Sequence, residues 1–230
     1  MAYLAAVMAH PAFTLRFKAD LVRPGLHVPL TADAALFADA VALGAEVIWL
    51  HTYGERFVDP AVGRPKAPPR LSKENVPSIP AKGAIPGAPE PLPDVMDFDP
   101  AKRRLTVGKG YVENVTTEMW NYEVSGKRVL WHWFSYRRRD RSRPIIGDRR
   151  APSPLDKIQP DHWLPEYTTD LLDLLNVLGR LIALESRQAE LLARICAGRL
   201  QTAAELLTAG ALAMPQDKFA ASKSKGKKKA

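Results

Sequence analysis

The stretch Lys127-Arg-Val-Leu-Trp-His-Trp-Phe-Ser-Tyr-Arg-Arg-Arg-Asp-Arg-Ser-Arg143 concentrates the side chains best suited to binding chemistry. Arginine carries a planar fork of N–H donors that matches paired phosphate oxygens or the O6/N7 edge of guanine. Lys127 and Arg128 open the stretch, Arg137, Arg138, Arg139, Arg141 and Arg143 close it, and Arg149 and Arg150 follow. The first seven are candidate nucleic-acid contacts, some reading bases and others phosphates; Arg149 and Arg150 are candidate phosphate anchors. A solvated basic loop with no ligand is the competing reading. Leu130, Trp133, Phe134 and Arg137 share one face at helical spacing, so Trp133 and Phe134 are expected in the core. Trp131 and His132 fall on other faces and are free to be exposed.

Catalytic patterns are missing. No G-x-x-x-x-G-K-[ST] loop, no G-x-G-x-x-G loop after a strand and no G-x-S-x-G elbow occurs. The Asn/Asp-Pro-Pro-aromatic motif of amino-methylating enzymes has no counterpart; Ala67-Pro-Pro-Arg70 and Asp99-Pro100 do not fit it. No Asp or Glu is followed two residues later by Lys, as a metal-dependent nuclease would require. The five histidines are scattered without metal-ligand spacing, and the single cysteine, Cys196, allows neither an internal disulfide nor a paired-cysteine zinc site. Cys196 lies beside Ile195 on an apolar face and is expected to pack as a small hydrophobe. His51, Tyr53 and Glu55 could form a polar site at a helix end; a C-terminal cap using Gly54, with Tyr53 and Phe57 turned inward, is the plainer expectation. No cofactor and no metal is expected.

The elements that must position the basic stretch can be read from periodicity and breakers. Residues 2–22 read as one or two short helices, with Pro11 in the first turn of the second. Leu26–Leu30 reads as a strand or linker. Thr31-Ala-Asp33 opens a helix whose broad apolar face holds Leu36, Phe37, Ala40, Val41, Leu43, Val47, Ile48 and Leu50. Eleven of the twenty prolines fall between Val58 and Pro100, which predicts an extended connection wrapped over the core. Leu105–Val107 and Tyr111–Val115 read as a β-hairpin across Gly108 and Gly110. Glu118–Val124 reads as a strand ended by Ser125-Gly126, and Lys127–Tyr136 as a helix that empties into the arginine loop. Two helices follow, about Thr168–Leu184 and Gln188–Ala197, the first so broadly apolar that it must be buried on more than one side. A third is opened by a Thr202/Glu205 capping box and ended by Gly210.

The chain has 230 residues and a formal charge of +8. Arg137–Arg150 holds seven arginines against two aspartates, and Gln216–Ala230 six lysines against one aspartate, each a net of +5. The remainder is therefore near neutral, so the excess sits in two blocks, as expected for a polyanion partner touched at defined places. The lysine tail is expected to be disordered and to add affinity without sequence selectivity. Hydrophobic residues make up 46% and charged residues 25%, the balance of a globular chain. The apolar stretches at 34–50 and 171–184 are interrupted by polar or charged residues, and no basic region precedes the N-terminal Ala-rich run. The expectation is a soluble, cytoplasmic protein without a membrane partner.

Taken together, several segments carry a family resemblance. Val28-Pro-Leu-Thr-Ala-Asp33, Val47-Ile-Trp-Leu-His-Thr-Tyr-Gly-Glu-Arg56, Gly83-Ala-Ile-Pro86 and Trp120-Asn-Tyr-Glu-Val-Ser-Gly126 resemble the C-terminal part of type ISP restriction-modification enzymes. So do Trp133-Phe-Ser-Tyr-Arg137, Ser153-Pro-Leu-Asp156 and Thr169-Asp-Leu-Leu-Asp-Leu-Leu-Asn-Val-Leu178, and the likeness runs from about Tyr3 to Gly210. In that family one polypeptide joins a nuclease, a helicase-like ATPase, an adenine-N6 DNA methyltransferase and a C-terminal target recognition domain, all serving phage defence. The resemblance implies that residues 1–57 correspond to a helical join at the end of the methyltransferase region, with His10-Pro-Ala-Phe-Thr14 within it. It also implies that 58–215 form the recognition domain and 216–230 a tail. The strand–Gly–helix unit around Trp120–Arg137 is similar to one that lies close to DNA in related methyltransferases. The departure is that every catalytic motif of the family is missing.

The resulting expectation is an α+β double-stranded DNA-binding specificity module with N-terminal helices, a small sheet and C-terminal helices, and without its own catalysis. A protein-interaction subunit docking on a separate methyltransferase or ATPase-nuclease polypeptide is the alternative. An enzyme with an unfamiliar site around His51, Tyr53 and Glu55 is the third reading.

Overall fold

A computed structural model describes residues 1–25, 27–52, 69–139 and 160–211. The fold is α+β. Its organising element is α6, Pro165–Ala197, a single helix of 33 residues and therefore roughly 50 Å long at about 1.5 Å per residue. The sequence reading divided it in two near residues 185–187. It does not divide, because Glu185, Ser186 and Arg187 include no breaker and the buried face passes through them from Leu184 to Gln188. The Thr202/Glu205 capping box does form, and α7 (Ala203–Thr208) follows it before Gly210 at φ 69.

Two apolar cores share this helix. The first joins α1 (Ala2–Met8), α2 (Pro11–Arg16) and α3 (Ala34–His51) to the C-terminal half of α6. Pro11 stands in the first turn of α2, as its fixed φ and missing N–H favour. Asp33 caps α3, its Oδ1 accepting from the backbone N–H groups of Ala35 at 2.8 Å and Leu36 at 3.0 Å. Replacing Asp33 by Ala should lower stability by about 1 kcal/mol, the ordinary cost of losing such a cap, with Asp33→Asn recovering most of it. Urea unfolding of the three proteins measures both values. The buried face of α3 is narrower than its apolar residues suggested: Leu36, Ala40, Leu43, Val47 and Leu50 are buried, whereas Phe37 is 41% exposed and stacks on Tyr3. By length and composition α3 could cross a membrane, with a mean hydropathy of 1.5. Here it packs against α1 and α6, and its carboxylates reach arginines of α6: Glu46 to Arg180 at 2.7 Å and Asp39 to Arg194 at 3.7 Å. Cys196 is half-buried against this core. Residues 27–33, the described part of the segment before α3, form no strand. They make a single bridge, Thr31 with Leu200, supported by hydrogen bonds from Gln201 to Leu30 and from Ala32 to Arg199.

The second core is built on the N-terminal half of α6. Three antiparallel strands lie in the order β1 (Met96–Asp99), β2 (Arg104–Val107), β3 (Gly110–Val112). The hairpin β2–β3 turns across Gly108-Lys109, with Val107 paired to Gly110 and Gly108 at φ 57. Strand β1, which the sequence reading left inside the proline-rich connection, begins just after the last closely spaced prolines. The described part of that connection wraps the core. Leu71 donates its backbone N–H to the buried Asn176 Oδ1 at 2.9 Å, Ser78 bridges Glu113, Pro91 bridges His162, and Leu92 is buried.

Residues 117–128 differ most from expectation. The expected strand from Glu118 is instead a short helix, α4 (Thr117–Asn121), because Thr116 accepts the Met119 N–H at 3.2 Å and Glu118 favours the helix start. Two-residue strands β4 (Glu123–Val124) and β5 (Lys127–Arg128) follow, and α5 starts only at Val129 and runs to Ser135. Lys127 and Arg128 thus form the second strand of a hairpin that runs directly into α5, with Arg128 at the helix N-cap. Ser125 at φ 52 and Gly126 at φ 73 supply the two left-handed residues that a tight hairpin turn of the I′ type demands.

Candidate nucleic-acid interface

The hairpin turn decides where the two leading cations stand. Cross-strand pairing sets Val124 opposite Lys127 and Glu123 opposite Arg128, and both cations are exposed. Arg128 does not wander freely from that position. Its guanidinium lies 5.2 Å from the centre of the Trp120 ring, and Trp120 stacks in turn on Phe98 of β1 at 5.8 Å. A cation held over an aromatic face keeps its N–H fork available at the edge while its stem is fixed.

Helix α5 supplies the other wall. Leu130 and Phe134 are fully buried, as the periodicity required. Trp133 is only half-buried, and packs edge-on against Trp163 at 6.2 Å. Trp131 is half-buried, whereas His132 is exposed and meets the ring of Tyr136 at 5.2 Å, edge to face. Tyr136 is 62% exposed. Glu123, Gly126, Lys127, Arg128, Trp131, His132 and Tyr136 together line a groove of about 480 Å³. Two cations and three aromatic or imidazole faces therefore line one open surface, with one carboxylate among them. Phosphate pairing and base stacking can both be served there. Tyr136 and Trp120 fall within the family motifs of the sequence but not among its candidate contacts. The available signals were the spacing of Tyr136 four residues after His132 and the placement of Trp120 just before a Ser-Gly turn.

The arginines leaving α5 are occupied differently. Arg137 lies 4.2 Å over Trp133 and 5.3 Å over Tyr167, donates to the Trp133 carbonyl at 3.1 Å, and stands 3.7 Å from Asp170. It ties α5 to α6. Arg138 is half-buried. Arg139 donates its backbone N–H to the Pro93 carbonyl at 3.1 Å and pairs its guanidinium with Asp94. Arg141, Arg143, Arg149 and Arg150 lie outside the described residues, as do Tyr53, Gly54, Glu55, Phe57 and the lysine tail. Of the nine expected contacts, Lys127 and Arg128 are brought together on the open groove, while Arg137 and Arg139 make intramolecular ties. His51 ends α3 and lines not this groove but a neighbouring cleft that shares Glu123 with it. Among the described residues no cluster of three His, Cys, Asp or Glu could hold a metal ion.

The family model of the type ISP C-terminal specificity domain matches residues 1–174, which includes the hairpin, α5 and the groove. No curated protein and no solved structure matches the chain.

Proposed function

The chain belongs to the type ISP C-terminal specificity domain family, and from that membership we propose that it binds double-stranded DNA as a target recognition module without catalysis of its own. The observation that carries the reading is the groove between the β4–β5 hairpin and α5, where Lys127 and Arg128 stand beside Trp131, His132 and Tyr136. In this reading Lys127 anchors a phosphate. Arg128, steadied by Trp120, offers its paired donors to a base edge, the contact that distinguishes guanine most directly. Arg141, Arg143, Arg149 and Arg150 add phosphate contacts, and the lysine tail adds affinity that does not depend on sequence. No motif for methylation, ATP hydrolysis or cleavage stands in these 230 residues, so in this reading those reactions fall to residues outside them.

The test is binding of the chain to random-sequence duplex DNA across a salt series, with and without the residues after Pro215. The tail-less protein should still bind, with log affinity falling linearly in log salt at a slope of about −0.9 per phosphate contacted. Loss of all binding with the tail would assign the interaction to nonspecific lysines and leave docking on a partner polypeptide as the better reading.

A further inference from the structure

A second concavity, acidic where the groove is basic, opens where α1 and α2 meet β4 and the middle of α6. Its volume is about 850 Å³. Met8, Leu15, Val124 and Ile182 give it apolar walls, and Leu15 and Val124 remain 78% and 52% exposed at its margin. Glu118, Glu123 and Glu185 also line it, against a single ammonium group, Lys18. Phosphate would be repelled here.

Two further groups complete the picture. His10 lines the cleft, is only 5% exposed, and places Nε2 3.0 Å from the Val7 carbonyl. That contact requires the proton on Nε2, which leaves Nδ1 as an acceptor, itself enclosed and without a hydrogen-bond partner among the described residues. Burial pulls the His10 imidazole below its ordinary pKa, so it stands neutral. Tyr122 and Glu185 also face the cleft. Burial pushes both upward, and the charge of Glu185 adds to the effect on Tyr122. A half-buried carboxylate without a partner among the described residues leaves an unmet demand for a donor.

We propose that this cleft binds an organic cation: a protonated amine or amidine carried on an apolar body. The cation would pair with Glu185 in a lining that holds three carboxylates against one ammonium group, and its body would cover Met8 and Ile182. A metal ion is the wrong chemistry, because no metal-binding cluster is present among the described residues. A neutral apolar ligand would leave the half-buried Glu185 unpaired. The proposal does not rest on DNA binding, and each can fail without the other.

Benzamidine and its uncharged analogue benzamide serve as probes for the full chain, with Ile182 methyl shifts and calorimetry as readouts. Benzamidine should bind and perturb Ile182, with benzamide at least about tenfold weaker, the scale of one charge-assisted hydrogen bond. Glu185→Gln should lower benzamidine affinity by a similar factor and leave benzamide unchanged. Nα-acetylarginine amide separates the two sources of such a cation: tighter binding than benzamidine points to an arginine of a partner segment, weaker binding to a free small molecule. Equal affinities for benzamidine and benzamide would overturn the proposal, and so would no binding by any probe or an unperturbed Ile182. Should the Gln variant fail to fold, the benzamidine-to-benzamide ratio on the unaltered chain still decides.

Discussion

Reversing charge at Lys127 and Arg128 together, to glutamate, should lower affinity for duplex DNA by about ten- to a hundredfold, the range expected for losing one well-placed arginine contact and one phosphate contact. The salt dependence should flatten at the same time, the slope falling by about 1 because the phosphate-anchoring Lys127 is gone. Folding should be untouched. Both side chains are exposed, and neither supports a core residue beyond the Arg128 contact with Trp120. Arg137→Gln is the informative contrast. Arg137 is engaged with Trp133, Tyr167 and Asp170, so its loss should appear in the urea midpoint and leave the salt slope nearly unchanged. A double charge reversal that binds with wild-type affinity and slope would remove the hairpin from the DNA-contacting surface. The arginines beyond residue 139 would then have to account for any binding.

The contrast between Arg128 and Arg137 also shows what the sequence could and could not disclose. Both sit in one basic-aromatic run, and composition treats them alike. What separates them is tertiary: Arg137 finds Tyr167 and Asp170 thirty residues away on α6, while Arg128 faces outward from a hairpin. Local signals with a steric or hydrogen-bonding cause were legible. Asp33, Pro11, Gly108 and the Thr202/Glu205 pair each perform the cap or turn that their chemistry predicts. Apolar periodicity found Leu130 and Phe134 but misjudged Glu118–Val124. There, aromatic and β-branched residues suggested a strand, and the Thr116 cap with packing of Met119 against α6 imposed a helical turn instead. The continuity of α6 was hidden for the opposite reason. Polar residues near its middle interrupt the apolar run, yet Glu185 lines the cleft, Arg187 approaches Glu46, and Gln188 is only 1% exposed. Gln188 donates to the carbonyls of Ala5 and Ala6, so the polar break is itself a buried contact with α1.

That contact makes the seating of α1 the most fragile feature of the first core, and Gly44→Ala should expose it. A Cβ at residue 44 would stand 1.7 Å from the Ala2 carbonyl oxygen and 2.5 Å from its carbon. Backbone cannot rotate away as a side chain does, so α1 and α3 must separate. At Gly179, by comparison, a Cβ would meet only the flexible ends of Leu71 and Met119. Overpacking of a close contact costs about 1–3 kcal/mol or more, and the better helix propensity of alanine returns at most about 1. The net loss should be about 2 kcal/mol, a substantial fraction of a typical domain's stability of roughly 5–15 kcal/mol. The damage should be local in its structural signature. Displacing α1 loosens the Tyr3 hydroxyl from the Pro29 carbonyl at 2.6 Å and the Thr31 N–H at 3.1 Å, and frees Gln188 from Ala5 and Ala6. Amide exchange should therefore quicken first along α1 and at Thr31. Helix α5 packs on the other core through Leu130 and Phe134, so DNA affinity measured without denaturant should hold. A Gly44→Ala protein with unaltered midpoint and protected α1 amides would mean that the two helices do not approach this closely in solution.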